Sequence, residues 1–481
     1  MTTIKLDPGA ALLLDALHGA GHAAYAVGGC VRDSLLGLDP HDWDLCTSAR
    51  PEQVMALFGE EKCIPTGLQH GTVTVKQGGR LYETTTFRTE GAYSDGRHPD
   101  AVCFVPDVRE DLARRDFTIN AMAYSAGEGL IDPFGGRDDL AAHLVRAVGE
   151  PERRFEEDAL RILRLYRFAA RFGFAIDPAT GAAARALGPH LDCVSAERIQ
   201  EELLKLLAAP RPGSYLEPAV LAVVLPELEP EKQPERFAEL CRTIDRIEPT
   251  AENMPARLAA LLCPLGEAGA RKALRKLKCS NALTDEVTAL VGGSVGSFLL
   301  GHEFELRHPA DALCLERHSH PAGRCPNSNS LFPPQAAVVT VAGHSIARPI
   351  ACGNRVPPQR TVLGETPGTP NTTLTVQAKR LLGRYELPTI KRLTALCSAR
   401  HPEQTGAFAA LQAEAERLTA ENACCRVSQL AVNGRDLMAA GVRPGPGLRQ
   451  VLNALLEAVI TGQTPNEKDA LLAAAAQFSA S

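Results

Sequence analysis

Apolar and polar positions follow two different periods along the first 140 residues. In some segments apolar residues recur every three or four positions, and in others β-branched and aromatic residues cluster in short extended runs. Glycine or proline separates most of these segments. The pattern predicts helices at 9–22 and 31–38 and strands at 23–27, 41–45, 71–75 and 80–88. This part of the chain is therefore expected to be a mixed α/β unit.

The rest of the chain has a helical period. From about Leu140 to Ala209 apolar residues lie three or four positions apart, and helical patterns continue from there to about residue 300. They return at Gln377 and extend to Ala475. The sequence thus predicts an α+β protein in which the mixed α/β unit is followed by all-helical units.

One segment has neither period. Between Arg307 and Thr375 lie ten of the 34 prolines of the chain and no lysine, and no amphipathic pattern is present. Such a composition does not bury enough apolar surface to offset the entropy lost on ordering, so we expect a disordered insertion. The chain is accordingly divided into five parts, at 1–140, 141–210, 211–306, 307–375 and 376–481.

Composition limits the class of protein. With 481 residues the chain is too long for one hydrophobic core, and its 45% hydrophobic and 22% charged residues are typical of folded proteins. The net charge of −6 gives no overall attraction to nucleic acid, so RNA binding would need locally clustered arginines. We find no signal core and no apolar stretch of about 18 residues, and therefore expect a cytoplasmic protein without membrane contact.

The 14 cysteines include no C-x-x-C pair and are spread over the whole chain. In a protein without a secretion signal, scattered cysteines are usually reduced thiols of the core. Cys314, His318, His320 and Cys325 lie in the proline-rich segment, but their spacing follows no zinc-finger pattern. The sequence therefore favours reduced cysteines over a zinc site.

A glycine pair stands where the strand at 23–27 turns into the next helix. Gly28 and Gly29 would let backbone N–H groups approach phosphate oxygens, and Arg32 would add a charged contact. By itself a Gly-Gly turn is more often only a tight connection. Phosphate binding at this turn therefore needs support from other residues of the same region.

Two aspartates lie ten residues beyond Arg32. Asp42 and Asp44 occupy alternate positions of the predicted strand at 41–45, which would place both carboxylates on one side, close enough to hold two divalent cations such as Mg²⁺. Two such ions can activate an attacking hydroxyl and neutralise a leaving pyrophosphate. The alternative is a solvated strand end with Trp43 packed in the core.

Together these residues resemble the nucleotidyltransferase superfamily that includes DNA polymerase beta. The closer resemblance is to the bacterial class II CCA-adding enzymes and the related poly(A) polymerases. It is carried by the run Gly28-Gly29-x-Val31-Arg32-Asp33-x-Leu35-Leu36-Gly37 followed by Asp42-x-Asp44. The resemblance implies catalytic and metal-binding roles for the two aspartates and nucleotide-binding roles for Gly29 and Arg32.

The resemblance also implies a fold and an activity. The head, 1–140, would contain a polymerase-beta-like sheet, followed by a helical neck for base recognition, a body for RNA binding and a tail that binds tRNA. Its activity would be template-independent addition of CCA to the 3′ end of tRNA from CTP and ATP. The resemblance covers about residues 1–300 and 377–475, and it has no counterpart for the insertion.

Two further parts of the head match the family. Residues 114–121, Arg-Arg-Asp-Phe-Thr-Ile-Asn-Ala, are similar to the motif that recognises the ribose and phosphate of the incoming nucleotide. The resemblance implies that Arg115 contacts the nucleotide. On the strand at 80–88, Glu83 is a candidate third carboxylate.

Asp158, Arg161, Arg164 and Arg167 recur every three residues and are predicted to form one polar ridge on a helix. A carboxylate and a rigid guanidinium fork can pair with the polar edge of cytosine or adenine. The resemblance implies that Asp158 and Arg161 form a protein template, with Arg164 and Arg167 near the triphosphate or the tRNA backbone. The alternative is a charged helix face held by intrahelical ion pairs.

Two other functions stay open. A poly(A) polymerase would share most motifs, but the short basic element expected after the first motif is replaced here by Thr-Gly-Leu-Gln-His-Gly at 66–71. Residues 89–107 supply the flexible loop that an enzyme adding only CC would lack. The second alternative is a tRNA-binding relative without catalysis.

Overall fold

The computed structural model describes residues 3–91, 102–295 and 372–478. The predicted insertion at 307–375, apart from its last four residues, lies outside this description, as do the four residues considered for zinc. The strands are β1 (Ala24–Val27), β2 (Leu45–Thr47), β3 (Cys63–Gly67), β4 (Thr72–Gln77), β5 (Arg80–Thr86), β6 (Arg88–Glu90), β7 (Val102–Phe104), β8 (Ala123–Ser125), β9 (Gly129–Ile131), β10 (Leu144–Val145) and β11 (Ala175–Ile176).

Helices surround the sheet of the head and form most of the remaining chain. Those of the head are α1 (Pro8–Gly19), α2 (Gly29–Leu35), α3 (Pro51–Phe58), α4 (Val108–Ala113) and α5 (Gly136–Ala141). The next group is α6 (Pro151–Glu157), α7 (Leu160–Phe172), α8 (Pro178–Ala186), α9 (Ala196–Leu207), α10 (Pro218–Val224), α11 (Pro234–Arg246), α12 (Met254–Leu262), α13 (Gly266–Lys276) and α14 (Asn281–Val295). The last group is α15 (Thr372–Arg384), α16 (Leu387–Arg400), α17 (Thr405–Ala420), α18 (Gly434–Ala439), α19 (Pro446–Ile460) and α20 (Lys468–Phe478).

The head is built on a mixed sheet of seven strands in the order β3-β4-β5-β2-β1-β8-β9. Strands β2 and β5 are parallel, and the other neighbouring pairs are antiparallel. All four residues of β1 are buried, because this central strand is covered on both faces. The predicted α+β class is confirmed, with the mixed sheet confined to the head.

The strand predicted at 41–45 is wrong in its bounds. Strand β2 begins only at Leu45, and residues 41–44 form no ladder, although the carbonyl of Asp44 accepts the N–H of Val27 at 2.9 Å. Exposure nevertheless alternates as predicted, since Trp43 is buried between Asp42 and Asp44, which are both exposed. Burial of the indole, rather than strand pairing, turns both carboxylates outward.

The part of the chain after the head is not purely helical. Strands β10 and β11 pair in parallel and bring residues 144–145 beside residues 175–176. Helix α7 packs on α9, and the tail forms a separate apolar cluster around Leu437, Leu455 and Leu471. Within the described ranges no helix is both long and apolar enough to cross a bilayer.

A fully buried arginine stabilises the middle of the molecule. Arg257, in α12, donates to the carbonyls of Leu207, Ala209 and Pro210 at the end of α9, and to that of Ile247 after α11. Carbonyls at helix C-termini lack intrahelical partners and carry partial negative charge, which a cation complements. Burial lowers the pKa of the Arg257 guanidinium, and the charge of Asp245 opposes this shift.

Replacing Arg257 with methionine is expected to lower the free energy of unfolding by about 3 kcal/mol, because several buried carbonyls lose their donors at once. Urea denaturation followed by circular dichroism measures the change. The control is Arg242→Met, which removes an exposed ion pair with Glu239 and should shift stability by less than about 1 kcal/mol. Equal urea midpoints for the two variants would contradict the role of Arg257.

Candidate active site

Three carboxylates lie together beside the centre of the sheet. Strands β2 and β5 pair in parallel with Leu45 opposite Thr84, so that the preceding residues, Asp44 and Glu83, are neighbours. Burial raises the pKa of Asp44 to about 6, and the negative charges of Glu83 and Asp42 contribute to this rise. The positive charge of Arg115 acts in the opposite direction and lowers the pKa. Asp44 is nevertheless exposed, so solvent or a ligand can reach its carboxylate.

The described ranges contain no group of three His, Cys, Asp or Glu side chains placed to hold a metal ion. The negative charge around Asp44 nevertheless fits a divalent cation, which would relieve the repulsion that raises its pKa. Mg²⁺ is commonly bound by one or two carboxylates together with phosphate oxygens of a substrate. Asp42 and Asp44 match the protein part of such a ligand set, with Glu83 close by.

The glycine turn lies against a positively charged side chain, that of Arg115, which acts on Asp44. Gly28 has a φ of 76°, and a Cβ atom added there would lie 2.9 Å from Nη1 of Arg115. The positive φ favours glycine, whereas the contact with the flexible tip of Arg115 could be relieved by a shift of that side chain. Gly29 is the first residue of α2. Nε of Arg115 is buried and has no hydrogen-bond partner among the described residues. The turn, Arg115 and Asp44 therefore lie close together in the head.

Asp111 positions Arg115 and was not identified from the sequence. Its fully buried carboxylate accepts Nη2 of Arg115 at 3.2 Å, Nη2 of Arg114 at 2.8 Å and the backbone N–H of Arg88 at 3.3 Å. Burial raises the pKa of Asp111, but Arg114 and Arg115 outweigh it and leave the pKa below its ordinary value. The spacing of three and four residues from Asp111 to the two arginines was the available signal.

Arg32 is enclosed rather than open to a ligand. It is 4% exposed, its Nε donates to Asp33 at 2.8 Å, and its Nη1 donates to the side-chain oxygen of Asn120. The guanidinium also lies 5.2 and 4.9 Å from the ring centroids of Phe168 and Phe172. Its role as a phosphate contact stays a prediction, and in this conformation Arg32 joins the glycine turn to α7.

Of the four polar residues predicted on one helical ridge, Asp158 lies outside the helix. Helix α7 begins at Leu160, and Asp158 precedes it in extended conformation, where its Oδ1 accepts the N–H of Leu160 at 3.1 Å. On an α-helix, side chains three residues apart are rotated by about 300°, so successive members drift by roughly 60°. The predicted placement of Asp158 on the helix is wrong, because α7 begins two residues after it, whereas Arg161, Arg164 and Arg167 all lie on α7, where Arg164 and Arg167 both approach Glu202.

Each of these arginines pairs with a different carboxylate: Arg161 with Glu157 at 2.7 Å, Arg164 with Asp116 at 2.6 Å and Arg167 with Glu202 at 2.7 Å. None of these three pairs lies within one helix, because Glu157 ends α6 and Arg161 belongs to α7, so the intrahelical alternative does not describe them. Arg161 also donates to the backbone carbonyls of Arg154 and Arg114, both at 3.0 Å. The other two arginines bind carboxylates of the head and of α9.

Asp116 connects the motif at 114–121 with α7. Its Oδ1 accepts Nδ2 of Asn120 at 3.0 Å, and its Oδ2 accepts Nε and Nη2 of Arg164 at 2.9 and 2.6 Å. Burial raises the pKa of Asp116, but Arg164 and Asn120 hold it well below its ordinary range. Because Asn120 also binds Arg32, a continuous chain of hydrogen bonds links the glycine turn to α7.

Asp158 has a partner that the sequence did not reveal. Both of its carboxylate oxygens bind Arg198 of α9, and Glu202, four residues further along the same helix, binds Arg167. Residues four apart lie on one face of a helix, so Arg198 and Glu202 lie on the same face of α9. The structure thus brings Asp42, Asp44 and Arg115 together in the head, and Asp158 and Arg167 against α9.

The chain is similar to known proteins along nearly its whole length. Family models match "Poly A polymerase head domain" at 24–146, "Probable RNA and SrmB- binding site of polymerase A" at 173–231 and "tRNA nucleotidyltransferase domain 2" at 379–475. A CCA-adding enzyme of Lactobacillus helveticus is 33% identical over 466 residues, covering 95% of this chain and 94% of that protein.

Solved structures give the same result. The CCA-adding enzyme of Bacillus stearothermophilus in complex with CTP has a TM-score of 0.68 and 29% identity, covering 98% of both chains. The Thermotoga maritima CCA-adding enzyme complexed with tRNA has a TM-score of 0.60, covering 98% of this chain and 96% of that one, and at 19% identity it shares the fold.

Replacing Asp44 with asparagine is expected to stabilise the metal-free protein at pH 7. The folded pKa of about 6 lies above the ordinary value of 3.8, so folding disfavours the charged carboxylate, and wild-type stability declines as the pH rises through this interval. Because solvent screens an exposed group, we expect a gain of at most about 1 kcal/mol in the free energy of unfolding. Thermal unfolding in EDTA measures it.

The gain should nearly vanish at pH 4, where the folded wild-type carboxyl is protonated. Adding Mg²⁺ at pH 7 should stabilise the wild type more than the variant, because the variant lacks a charged ligand. Equal stability of the two metal-free proteins at pH 7 would show that the ionised carboxylate of Asp44 does not destabilise the folded protein.

Proposed function

The chain belongs to the family of CCA-adding enzymes, and we propose that it adds CCA to the 3′ end of tRNA from CTP and ATP without a nucleic-acid template, releasing pyrophosphate. One observation carries the proposal: Asp42, Asp44 and Arg115 converge at the Gly28 turn, in a chain that aligns with such an enzyme almost from end to end. No helix that would span a membrane occurs in the described ranges, and we propose a cytoplasmic location.

Asp42 and Asp44 would hold the divalent ions, for which Mg²⁺ fits the hard oxygen ligands best. When bound, such ions assist deprotonation of the attacking 3′-hydroxyl and neutralise the leaving pyrophosphate. With a pKa of about 6, Asp44 is mostly ionised at pH 7 and therefore available as a ligand. Glu83 adds negative charge beside it and is the candidate for a third carboxylate.

Arg115 would bind a phosphate oxygen of the incoming nucleotide. Its Nη1 lies against the Gly28 turn, Asp111 fixes its orientation, and its buried Nε has no partner among the residues described. Backbone N–H groups at Gly29 would add uncharged donors on the same side. A fixed guanidinium and open backbone together orient a triphosphate with little entropy lost on binding.

Base recognition would belong to Asp158 and Arg161, a carboxylate acceptor and a guanidinium donor just before and at the start of α7. Arg164 is 32% exposed and can contact a phosphate while Asp116 holds it, whereas Arg167 is 12% exposed and more enclosed. Burial lowers the pKa of Arg167 to about 10, so it keeps its positive charge at neutral pH.

The alternative of a poly(A) polymerase shares the head, because the matching head model carries that name. The match of residues 379–475 to a tRNA nucleotidyltransferase domain favours tRNA as the acceptor instead. The presence of Asp42, Asp44 and Arg115 argues against a binding protein without catalysis. The length of the product distinguishes the three functions.

Incubated with tRNA that lacks its 3′ CCA, Mg²⁺, CTP and ATP, the purified protein is expected to add three nucleotides and stop. Asp42→Ala and Asp44→Ala should each abolish addition, while tRNA affinity changes little because basic side chains supply most of it. Gel analysis of end-labelled tRNA measures both results. The control is Asp285→Ala, an exposed carboxylate of α14 that pairs with Arg271.

A long run of adenosines on any RNA end would instead identify a poly(A) polymerase. Binding of tRNA without any addition by the wild type would identify a non-catalytic relative. Normal turnover in either aspartate variant would contradict the proposal that Asp42 and Asp44 bind the metal ions.

Asp158→Ala is expected to impair the choice between nucleotides more than the transfer itself. Loss of one base contact should reduce the preference for CTP over UTP, and for ATP over GTP, by about tenfold. Single-turnover assays with four nucleotides, on tRNAs ending before each CCA position, measure the preference. Wild-type selectivity in this variant would show that Asp158 is only part of a charged surface.

A further inference from the structure

The carboxylate of Asp158 is almost saturated with hydrogen bonds in this structure. Arg198 donates from Nη1 to Oδ1 at 3.2 Å and from Nη2 to Oδ2 at 2.7 Å, and the N–H of Leu160 donates to Oδ1 at 3.1 Å. Asp158 and Arg198 are only 16% and 21% exposed. Two parallel hydrogen bonds from a planar guanidinium fix the plane of the carboxylate as well as its position.

The number of acceptor positions left on Asp158 is set by this geometry. Each carboxylate oxygen accepts about two hydrogen bonds. Oδ1 already receives two donors, and Oδ2 receives one, from Arg198. Among the described residues no further donor reaches Asp158, so a single acceptor position remains, on Oδ2.

One acceptor position suits only some bases. Cytosine and adenine present an exocyclic amino group, at N4 and N6, where uracil and guanine present the carbonyl oxygens O4 and O6. An acceptor on Oδ2 can receive an amino N–H, but it repels a carbonyl oxygen. The two accepted bases are those of the nucleotides that make up CCA.

Resting on the proposed base-reading role of Asp158, we propose that Arg198 is a positioning residue that determines nucleotide specificity. It holds Asp158 in one orientation with one open acceptor, and so restricts the bound base to those with an exocyclic amino group. Arg198 carries donors only, and it therefore stabilises Asp158 as an acceptor and opposes its rotation. It acts through Asp158 and need not touch the base.

Helix α9 is anchored in a way that keeps Arg198 in place. Glu202 lies one turn further along the same face, is 4% exposed, and approaches Arg167 at 2.7 Å and Arg164 at 3.8 Å. Two opposite-charge contacts, one turn apart, thus join α9 to the segment around α7. The position of Arg198 is set by this packing before any nucleotide binds.

The test compares Arg198→Met with the wild type in rates of CTP, ATP, UTP and GTP addition to tRNA lacking CCA. We expect the preference for CTP over UTP, and for ATP over GTP, to fall by about tenfold, because a free carboxylate can turn. KM for CTP should rise more than kcat falls. Arg198→Lys, which keeps a charge but not the fork, should give an intermediate loss.

Arg185→Met serves as the matched control, because Arg185 is half exposed on α8 and pairs loosely with Glu217 at 3.7 Å. It should keep wild-type preferences. If Arg198→Met lowers addition of all four nucleotides equally, or leaves both preferences unchanged while Asp158→Ala loses them, the specificity role of Arg198 is wrong and the role of Asp158 stands.

Unchanged preferences in Asp158→Ala would instead overturn base reading by Asp158, and the role of Arg198 with it. Circular dichroism and tRNA binding check the fold of each variant. If Arg198→Met does not fold, Arg198→Lys decides: wild-type preferences in a folded lysine variant overturn the proposal, and reduced preferences support it.

Discussion

The ion pair between the buried carboxylate of Asp116 and the partly exposed guanidinium of Arg164 determines how the head meets the neck. Asp116 belongs to the segment that carries Arg115, and Arg164 to the helix that begins just after Asp158, so the pair joins the two halves of the candidate site. Removing water from two charges is costly, and only good geometry offsets that cost. Here two hydrogen bonds from Arg164 and one from Asn120 provide it. Losing Arg164 would leave the buried carboxylate of Asp116 without its ion-pair partner.

The chain of contacts through Asn120 extends this coupling to the glycine turn. Arg32 binds Asn120 and lies near the rings of Phe168 and Phe172, so the phosphate side of the site and α7 share one support. Arg164 and Arg167 also lie close to the ring of Phe168, with centroid distances of 5.3 and 4.1 Å. The negative face of an aromatic ring partly offsets the repulsion among neighbouring cations. Helix α7 can therefore hold several positive charges close together around one aromatic ring.

How far the sequence predicted the site depends on the range of the interactions involved. The outward direction of Asp42 and Asp44 was predictable, because it results from burial of the residue between them. The absence of a strand at 41–44 was not predictable, since exposure can alternate without the hydrogen bonds of a ladder. The pairing of Asp158 with Arg198, and of Arg164 with Asp116, joins residues 40 and 48 positions apart. Charge spacing along one helix carries no information on such distant partners, nor on the break that separates Asp158 from α7.

Arg257 has a consequence for the order in which the chain folds. Its guanidinium is fully buried and depends on carbonyls from residues 207–210 and 247, which lie between ten and 50 positions away in sequence. An intermediate with only one of the two supporting helices docked would hold a desolvated cation with unfilled donors. Such partly assembled states are disfavoured, and α9, α11 and α12 are expected to form as one cooperative unit rather than by stepwise addition of helices.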